Sequence, residues 1–314
     1  MKDKVLITTS SFAKDGYSSI KLLHDAGYEA ILNPYGRKLT EEEVLTLLLE
    51  TKPIGMIAGV EPLTAWVLKQ AEFLKVISRC GIGLDNVDLN AAKDQGIAVL
   101  NTPEGPTQAV AELTVGVIFD LLRRISYLDR ELRKGNWRKE TGSLLQGKKV
   151  GIIGLGRIGK RVAELLLALD AKVSGAEIKP DFQWLKMNQV QLISLKEILK
   201  ESEILCLHLS YTEGNKHLIA KKEIDIMRKK AYLVNLSRGN IVEEDALYEA
   251  LSNDHLSGAA LDVFDQEPYS GPLTRLDNVI LTPHIGSYAK ESRLKMEMQA
   301  VKNLLSVLNQ AIKK

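Results

Sequence analysis

The chain has 314 residues, 45% hydrophobic and 26% charged, which is close to the globular average, so a sizeable core is available and wholesale disorder is excluded. Its 42 basic residues balance 40 acidic ones, leaving no electrostatic reason for a nucleic-acid or membrane-surface partner. The two cysteines, Cys80 and Cys206, lie far apart in apolar runs and make neither a disulfide framework nor a CxxC metal spacing, so no metal site is expected.

At roughly 150 residues per domain the length suggests two domains. The N-terminus lacks the long apolar region of a signal peptide, and no apolar stretch reaches the roughly 18 residues of a membrane span. The expected location is the cytoplasm. Val5 to Thr9 reads as a strand, Ser18 to Ala26 as a helix stopped at Gly27, and Tyr28 to Leu32 as a strand followed by the turn Asn33-Pro34-Tyr35-Gly36. Thr40 with Glu43 is a capping box that opens a helix through Glu50. Ile54 to Ala58, Leu74 to Ser78 and Ile97 to Leu100 are further strand candidates. This β-α-β rhythm predicts a parallel sheet covered by helices.

A long apolar segment from Ala109 to Ile125 predicts a largely buried helix, which can also serve as a subunit interface. A polar, basic stretch follows from Arg130 to Lys149, with Trp137 in its middle. A second β-α-β series then begins. Its strand candidates are Lys149 to Ile153, Lys172 to Ala176, Ile204 to Leu209, Tyr232 to Leu236, Gly258 to Val263 and Val279 to Thr282. Lys290 to Gln310 reads as a closing amphipathic helix.

Gly154-Leu155-Gly156-Arg157-Ile158-Gly159 fits GxGxxG. Alone the pattern is weak. Here a strand precedes it, a helix from Arg157 to Leu169 follows, and Glu177 ends the next strand, 177 − 159 = 18 residues past the last glycine. Gly154 allows the tight turn, Gly156 lets backbone approach a pyrophosphate, and Gly159 lets the helix pack close to the strand. The amides at the helix start suit that anion, and Arg157 adds a cation. Glu177 can accept hydrogen bonds from both ribose hydroxyls and repels a 2′-phosphate, which predicts NAD over NADP.

Three later segments place polar residues just past apolar strands: Asn235-Leu-Ser-Arg238-Gly239, Asp262 to Glu267-Pro268, and Pro283-His284-Ile-Gly286. In an open α/β sheet ligands bind at the carboxyl ends of strands. Arg238, Glu267 and His284 therefore form a plausible hydride-transfer set. Arg238 can grip a carboxylate and polarise the adjacent carbonyl. His284 can exchange the hydroxyl proton, with Glu267 orienting its ring.

With these motifs in place, the chain resembles the D-isomer-specific 2-hydroxyacid dehydrogenases, especially the phosphoglycerate dehydrogenase branch. The matching pieces span most of the chain: Arg79 to Asp88, Asn101-Thr-Pro103, Ala111 to Thr114, Gly154 to Gly159, Asn235 to Gly239, Leu261 to Phe264, Glu267-Pro268 and Pro283 to Gly286. The resemblance implies an α/β fold in which a Rossmann-type NAD-binding domain, 102–287, is inserted into a smaller flavodoxin-like substrate domain, 1–101 plus 288–314. It implies a cleft that closes over the substrate, and a homodimer built on the Ala109 to Ile125 helix. Arg238, Glu267 and His284 match the family's catalytic set. Arg157 and Ile158 match pyrophosphate contacts, Glu177 the adenosine-ribose acid, Asp262 an acid that holds the nicotinamide carboxamide, and His208 and Leu236 positions lining the cofactor pocket. Gly81-Ile82-Gly83 matches the loop that receives the substrate carboxylate.

The expected activity is hydride transfer between NAD and a D-2-hydroxy acid, with 3-phosphoglycerate, hence serine biosynthesis, slightly ahead of glyoxylate or hydroxypyruvate. The loop Ala58-Gly59-Val60-Glu61 lacks an arginine that relatives acting on phosphoglycerate often carry, so Arg37, Lys38 and Arg138 are the cations expected to answer a phosphate. A dinucleotide-sensing protein like the C-terminal-binding-protein corepressors is the rival reading. A formate-type dehydrogenase, which pairs its histidine with glutamine, is disfavoured by Glu267. No serine-binding regulatory domain follows residue 314, so feedback control through one is not expected.

Overall fold

The computed structural model describes residues 2–312. The chain divides into two compact units, Met1–Pro106 with Tyr288–Lys314, and Thr107–Ser287. Each is built on one parallel sheet.

In the first unit five strands, β1 (Lys4–Ile7), β2 (Glu29–Leu32), β3 (Gly55–Ala58), β4 (Val76–Arg79) and β5 (Ala98–Asn101), pair in the order β2-β1-β3-β4-β5. Alternate side chains leave opposite faces. Leu6, Met56 and Ile77 pack under Val44 and Leu48 of the helix Glu41–Thr51. Val5, Ile7, Ile57 and Val76 pack under Met296, Val301 and Leu304 of the C-terminal helix Lys290–Ile312. That helix lies close on the sheet: a Cβ at Gly55 would stand 3.0 Å from Leu304 Cδ1. The capping box at Thr40 forms as read, with Glu43 N donating to Thr40 Oγ1 at 3.3 Å and Thr40 N to Glu43 Oε2 at 2.9 Å.

In the second unit seven strands, β6 (Lys149–Ile153), β7 (Lys172–Ala176), β8 (Gln191–Leu192), β9 (Ile204–Leu207), β10 (Tyr232–Asn235), β11 (Gly258–Leu261) and β12 (Val279–Leu281), pair in the order β12-β11-β10-β9-β6-β7-β8. The chain runs outward from β6 to β8, returns to β9 and runs outward the other way. The strand order therefore reverses between β6 and β9, and a crevice opens there outside the carboxyl ends. One face of this sheet packs on the helix Pro106–Arg123 through Val110, Ile118 and Leu122. The other packs on Ile198, Leu247 and Leu251.

The structure departs from the sequence reading between Arg123 and Lys149. The long helix ends at Arg123 because Arg124 takes a left-handed conformation, φ +53°. A second helix, Ile125–Arg133, occupies part of what reads as polar connection. Its apolar residues Ile125, Leu128 and Leu132 recur on one stripe that basic neighbours hide from composition alone. The short helices Ala65–Leu68, Leu89–Asp94 and Phe182–Asn188 are too brief for periodicity to reveal. Among the described residues no helix is long and apolar enough to cross a membrane.

Candidate active site

The glycine loop follows β6 at the crevice. Gly154 sits at φ +93°, and a Cβ there would overlap the His208 carbonyl oxygen. A Cβ at Gly159 would overlap the Gly154 carbonyl oxygen, so the helix Arg157–Ala168 starts hard against the loop. A Cβ at Gly156 would meet nothing within 4 Å, so backbone there is open to approach. Gly156 caps the helix without a side-chain acceptor, which leaves first-turn amides for an anion. Arg157 is exposed at that start, and Ile158 packs half-buried against the core. Glu177, just past β7, accepts from Leu155 N at 2.8 Å and Lys179 N at 3.0 Å. A carboxylate has about four acceptor sites, so two remain for hydroxyl donors. An anion cradle, an open glycine and a ribose-height acid together fit a dinucleotide.

His208 follows β9, and Leu236, 6% exposed, follows β10. Both ring nitrogens of His208 are sealed from solvent without a protein partner. Burial pushes its pKa down to about 4. Folding thus keeps the ring neutral, while the unfolded chain takes up a proton below pH 6.5. Stability is full above pH 6.5 and falls as the pH drops toward 4, by on the order of 2 kcal/mol at pH 5. We expect His208→Gln to reduce the fall in Tm between pH 7 and pH 5; an equal fall in both proteins would refute this.

The proton-transfer candidates lie at the ends of three neighbouring strands. After β10, Asn235 Oδ1 accepts from Ser237 N at 3.1 Å, and Asn235 Nδ2 donates to Arg238 O at 2.8 Å, which closes an Asx turn beneath Arg238. Arg238 Nη1 donates to Ser237 O at 2.8 Å. A Cβ at Gly239 would overlap the Phe264 carbonyl, so this turn lies directly on the loop that follows β11. On that loop Glu267 receives His284: Nδ1 stands 2.9 Å from Oε2 and 3.1 Å from Oε1. An ionised carboxylate only accepts, so Nδ1 carries the proton and Nε2 is left to face a substrate.

Asp262, 1% exposed, fixes the third segment. It accepts from Thr282 Oγ1 at 2.6 Å, Ile285 N at 2.7 Å and Gly286 N at 2.7 Å. Burial raises its pKa, with these bonds working in the opposite sense. The clamp holds His284 at φ +55°, a conformation a residue with a Cβ adopts only when its surroundings impose it. Asp262 thus anchors the histidine loop and keeps one acceptor site beyond it. Thr282 and Asn235, which sequence reasoning did not single out, are part of this scaffold. The only signal for Asn235 is its spacing before Ser237-Arg238-Gly239.

In the first unit Gly81, at φ +150°, donates to Thr102 Oγ1 at 2.8 Å, and Ile82 O accepts from Asn101 Nδ2 at 2.7 Å. Among the described residues the amides of Ile82 and Gly83 meet no acceptor. Arg37 grips Glu43 with both terminal nitrogens, at 2.8 and 2.6 Å, and lies 5.1 Å over the Tyr35 ring. That pairing holds the Glu43 carboxyl at about 2. Lys38 is exposed beside it. Arg138 donates to Tyr127 Oη at 2.7 Å and lies 3.7 Å from Glu140. Both arginines expected to answer a phosphate are thus engaged locally. Glu61, 1% exposed and not evident as a functional residue from its spacing, accepts from Thr8 Oγ1 and from Gly59 N at 3.0 Å, tying the ends of β1 and β3 together.

Residues 115–286 match the family model of the D-isomer specific 2-hydroxyacid dehydrogenase, NAD binding domain. Over 282 residues the chain is 39% identical to a glyoxylate reductase from Thermofilum pendens, covering 87% of this chain and 80% of that protein. Over 279 residues it is 36% identical to a D-3-phosphoglycerate dehydrogenase from Methanocaldococcus jannaschii, covering 88% of this chain and 52% of that protein. The chain thus spans about half the length of that relative. Among solved structures it is similar to a D-lactate dehydrogenase from Aquifex aeolicus complexed with NAD and lactic acid, with TM-score 0.86 and 29% identity over 98% of this chain and 97% of that one.

Proposed function

The chain belongs to the D-isomer-specific 2-hydroxyacid dehydrogenases, and on that premise we propose that it interconverts a D-2-hydroxy acid and its 2-keto acid, with Arg238, Glu267 and His284 as the working residues. The observation that carries this reading is the 2.9 Å bond from His284 Nδ1 to Glu267 Oε2, on a loop clamped by Asp262. NAD, when bound, supplies the hydride acceptor for oxidation and, reduced, the donor for reduction. His284 Nε2 takes the hydroxyl proton during oxidation and returns it during reduction. Glu267 orients the ring and balances the imidazolium that forms. Arg238 holds the substrate carboxylate and draws charge onto the carbonyl oxygen.

For the substrate we favour 3-phosphoglycerate, the acid in the name of one set of relatives, with 3-phosphohydroxypyruvate as its 2-keto product. Glyoxylate or hydroxypyruvate is the second reading, favoured by the local engagement of Arg37 and Arg138. NADH oxidation with a panel of these keto acids tests both. NADH binding without turnover of any of them would point to a sensor.

Glu177 sets the cofactor preference in this reading. Replacing it with serine removes two ribose acceptors and the repulsion of a 2′-phosphate. KM for NAD should rise and the NAD-to-NADP ratio of kcat/KM should fall about tenfold or more. A wild type that already prefers NADP would overturn the assignment.

A further inference from the structure

We infer that the loop Thr9-Ser10-Ser11 of the first unit binds a second oxyanion of the substrate, so that the acid this chain acts on is charged at both ends; this rests on the function proposed above. The first sheet reverses its strand order between β1 and β3, and the crevice for a ligand lies outside the carboxyl ends there. Thr9-Ser10-Ser11 leaves β1 and Gly59-Val60-Glu61 leaves β3. The two loops touch: a Cβ at Gly59 would stand 3.3 Å from Thr9 Cα.

Among the described residues the amides of Thr9, Ser10 and Ser11 meet no acceptor, while the turn closes behind them through Phe12 N to Thr9 O at 3.2 Å and Ala13 N to Glu297 Oε2 at 3.1 Å. Successive amides without acceptors form a concavity suited to an anion. The hydroxyls of Thr9 and Ser11 are buried there without partners. The acids that face the loop are already occupied. Glu61 accepts from Thr8 and Gly59, and burial raises its pKa. Glu297 accepts from Ala13 and Ser19 and lies 3.4 Å from Arg293 Nη2. Backbone dipoles here do what Arg37, held by Glu43, does not.

The spacing selects the ligand. The open amides of Ile82 and Gly83 follow β4, two strand intervals from β1 in the same sheet, which is about 10 Å. An acid with its carboxylate on one loop and a second oxyanion on the other must separate the two groups by a chain of a few atoms. A two-carbon acid is too short.

The test compares 3-phosphohydroxypyruvate, 2-oxoglutarate and hydroxypyruvate in NADH-dependent reduction by the wild type and by Thr9→Val/Ser11→Ala. We expect one of the doubly charged acids to exceed hydroxypyruvate in kcat/KM by tenfold or more, and the double substitution to lower that ratio about tenfold. A lead for the first identifies a phosphate, and for the second a carboxylate. Thr9→Ser keeps the ratio, and Ser11→Ala alone reads it if the double variant does not fold. Equal use of the three acids, a lead for hydroxypyruvate, or a ratio untouched by the substitutions overturns the subsite. A wild type that reduces none of the three, nor glyoxylate, overturns the proposed function instead. Inorganic phosphate then reads the loop directly: a Tm that rises with phosphate in the wild type and not in the variant supports the subsite, and no rise in either overturns it.

Discussion

His284→Ala lowers kcat by roughly 10²–10⁴-fold, the usual worth of a positioned general acid–base group, while NADH still binds. The two effects separate because the proton site and the glycine loop stand on different strands: His284 follows β12, and Gly154 to Gly159 follow β6. NADH fluorescence titration measures the binding, and stopped-flow absorbance measures the hydride step. Glu267→Gln should fall between wild type and alanine, since glutamine can still accept from Nδ1 but does not balance the imidazolium. Near-normal turnover of His284→Ala removes the histidine from its role.

Arg238→Gln is expected to cost about 10²–10³-fold in kcat/KM, as losing a preorganised donor at a developing oxyanion does. Part of the loss appears in KM, because the guanidinium also holds the carboxylate in the ground state, and part in kcat. Arg238→Lys recovers little, since an ammonium cannot form the two parallel bonds. The Asx turn made by Asn235 supports the backbone at residue 238 independently of the side chain, so the variant should fold. A loss under fivefold contradicts the assignment.

What was legible in the sequence was what local spacing encodes. Gly154, Gly156 and Gly159 each answer a separate backbone demand, and Thr40 with Glu43 announces a helix three residues apart. Arg238, Glu267 and His284 stand out because each follows an apolar run. Contacts between such runs left no mark. Asp262 accepts three hydrogen bonds from residues twenty or more positions later, and its motif is equally suited to facing a ligand. Arg37 reads as a free cation until Glu43, already committed to the cap of its helix, is seen to hold it as well. Arg124 ends a helix by a backbone conformation that no glycine signals.

The return of the C-terminal helix onto the first sheet also sets an order of events during synthesis. Val5, Ile7, Ile57 and Val76 are made before the second unit, and Met296, Val301 and Leu304, which pack on them, after it. Residues 107–287 are made in between. At 5–20 residues per second that interval is on the order of 10–40 s. Through it that face of the nascent sheet is covered only in part, by Ile20 and Leu23 of the helix Ser18–Asp25, while the second unit already holds every strand and helix of its core. The later segment can therefore fold first, while the first sheet waits for its second helical layer.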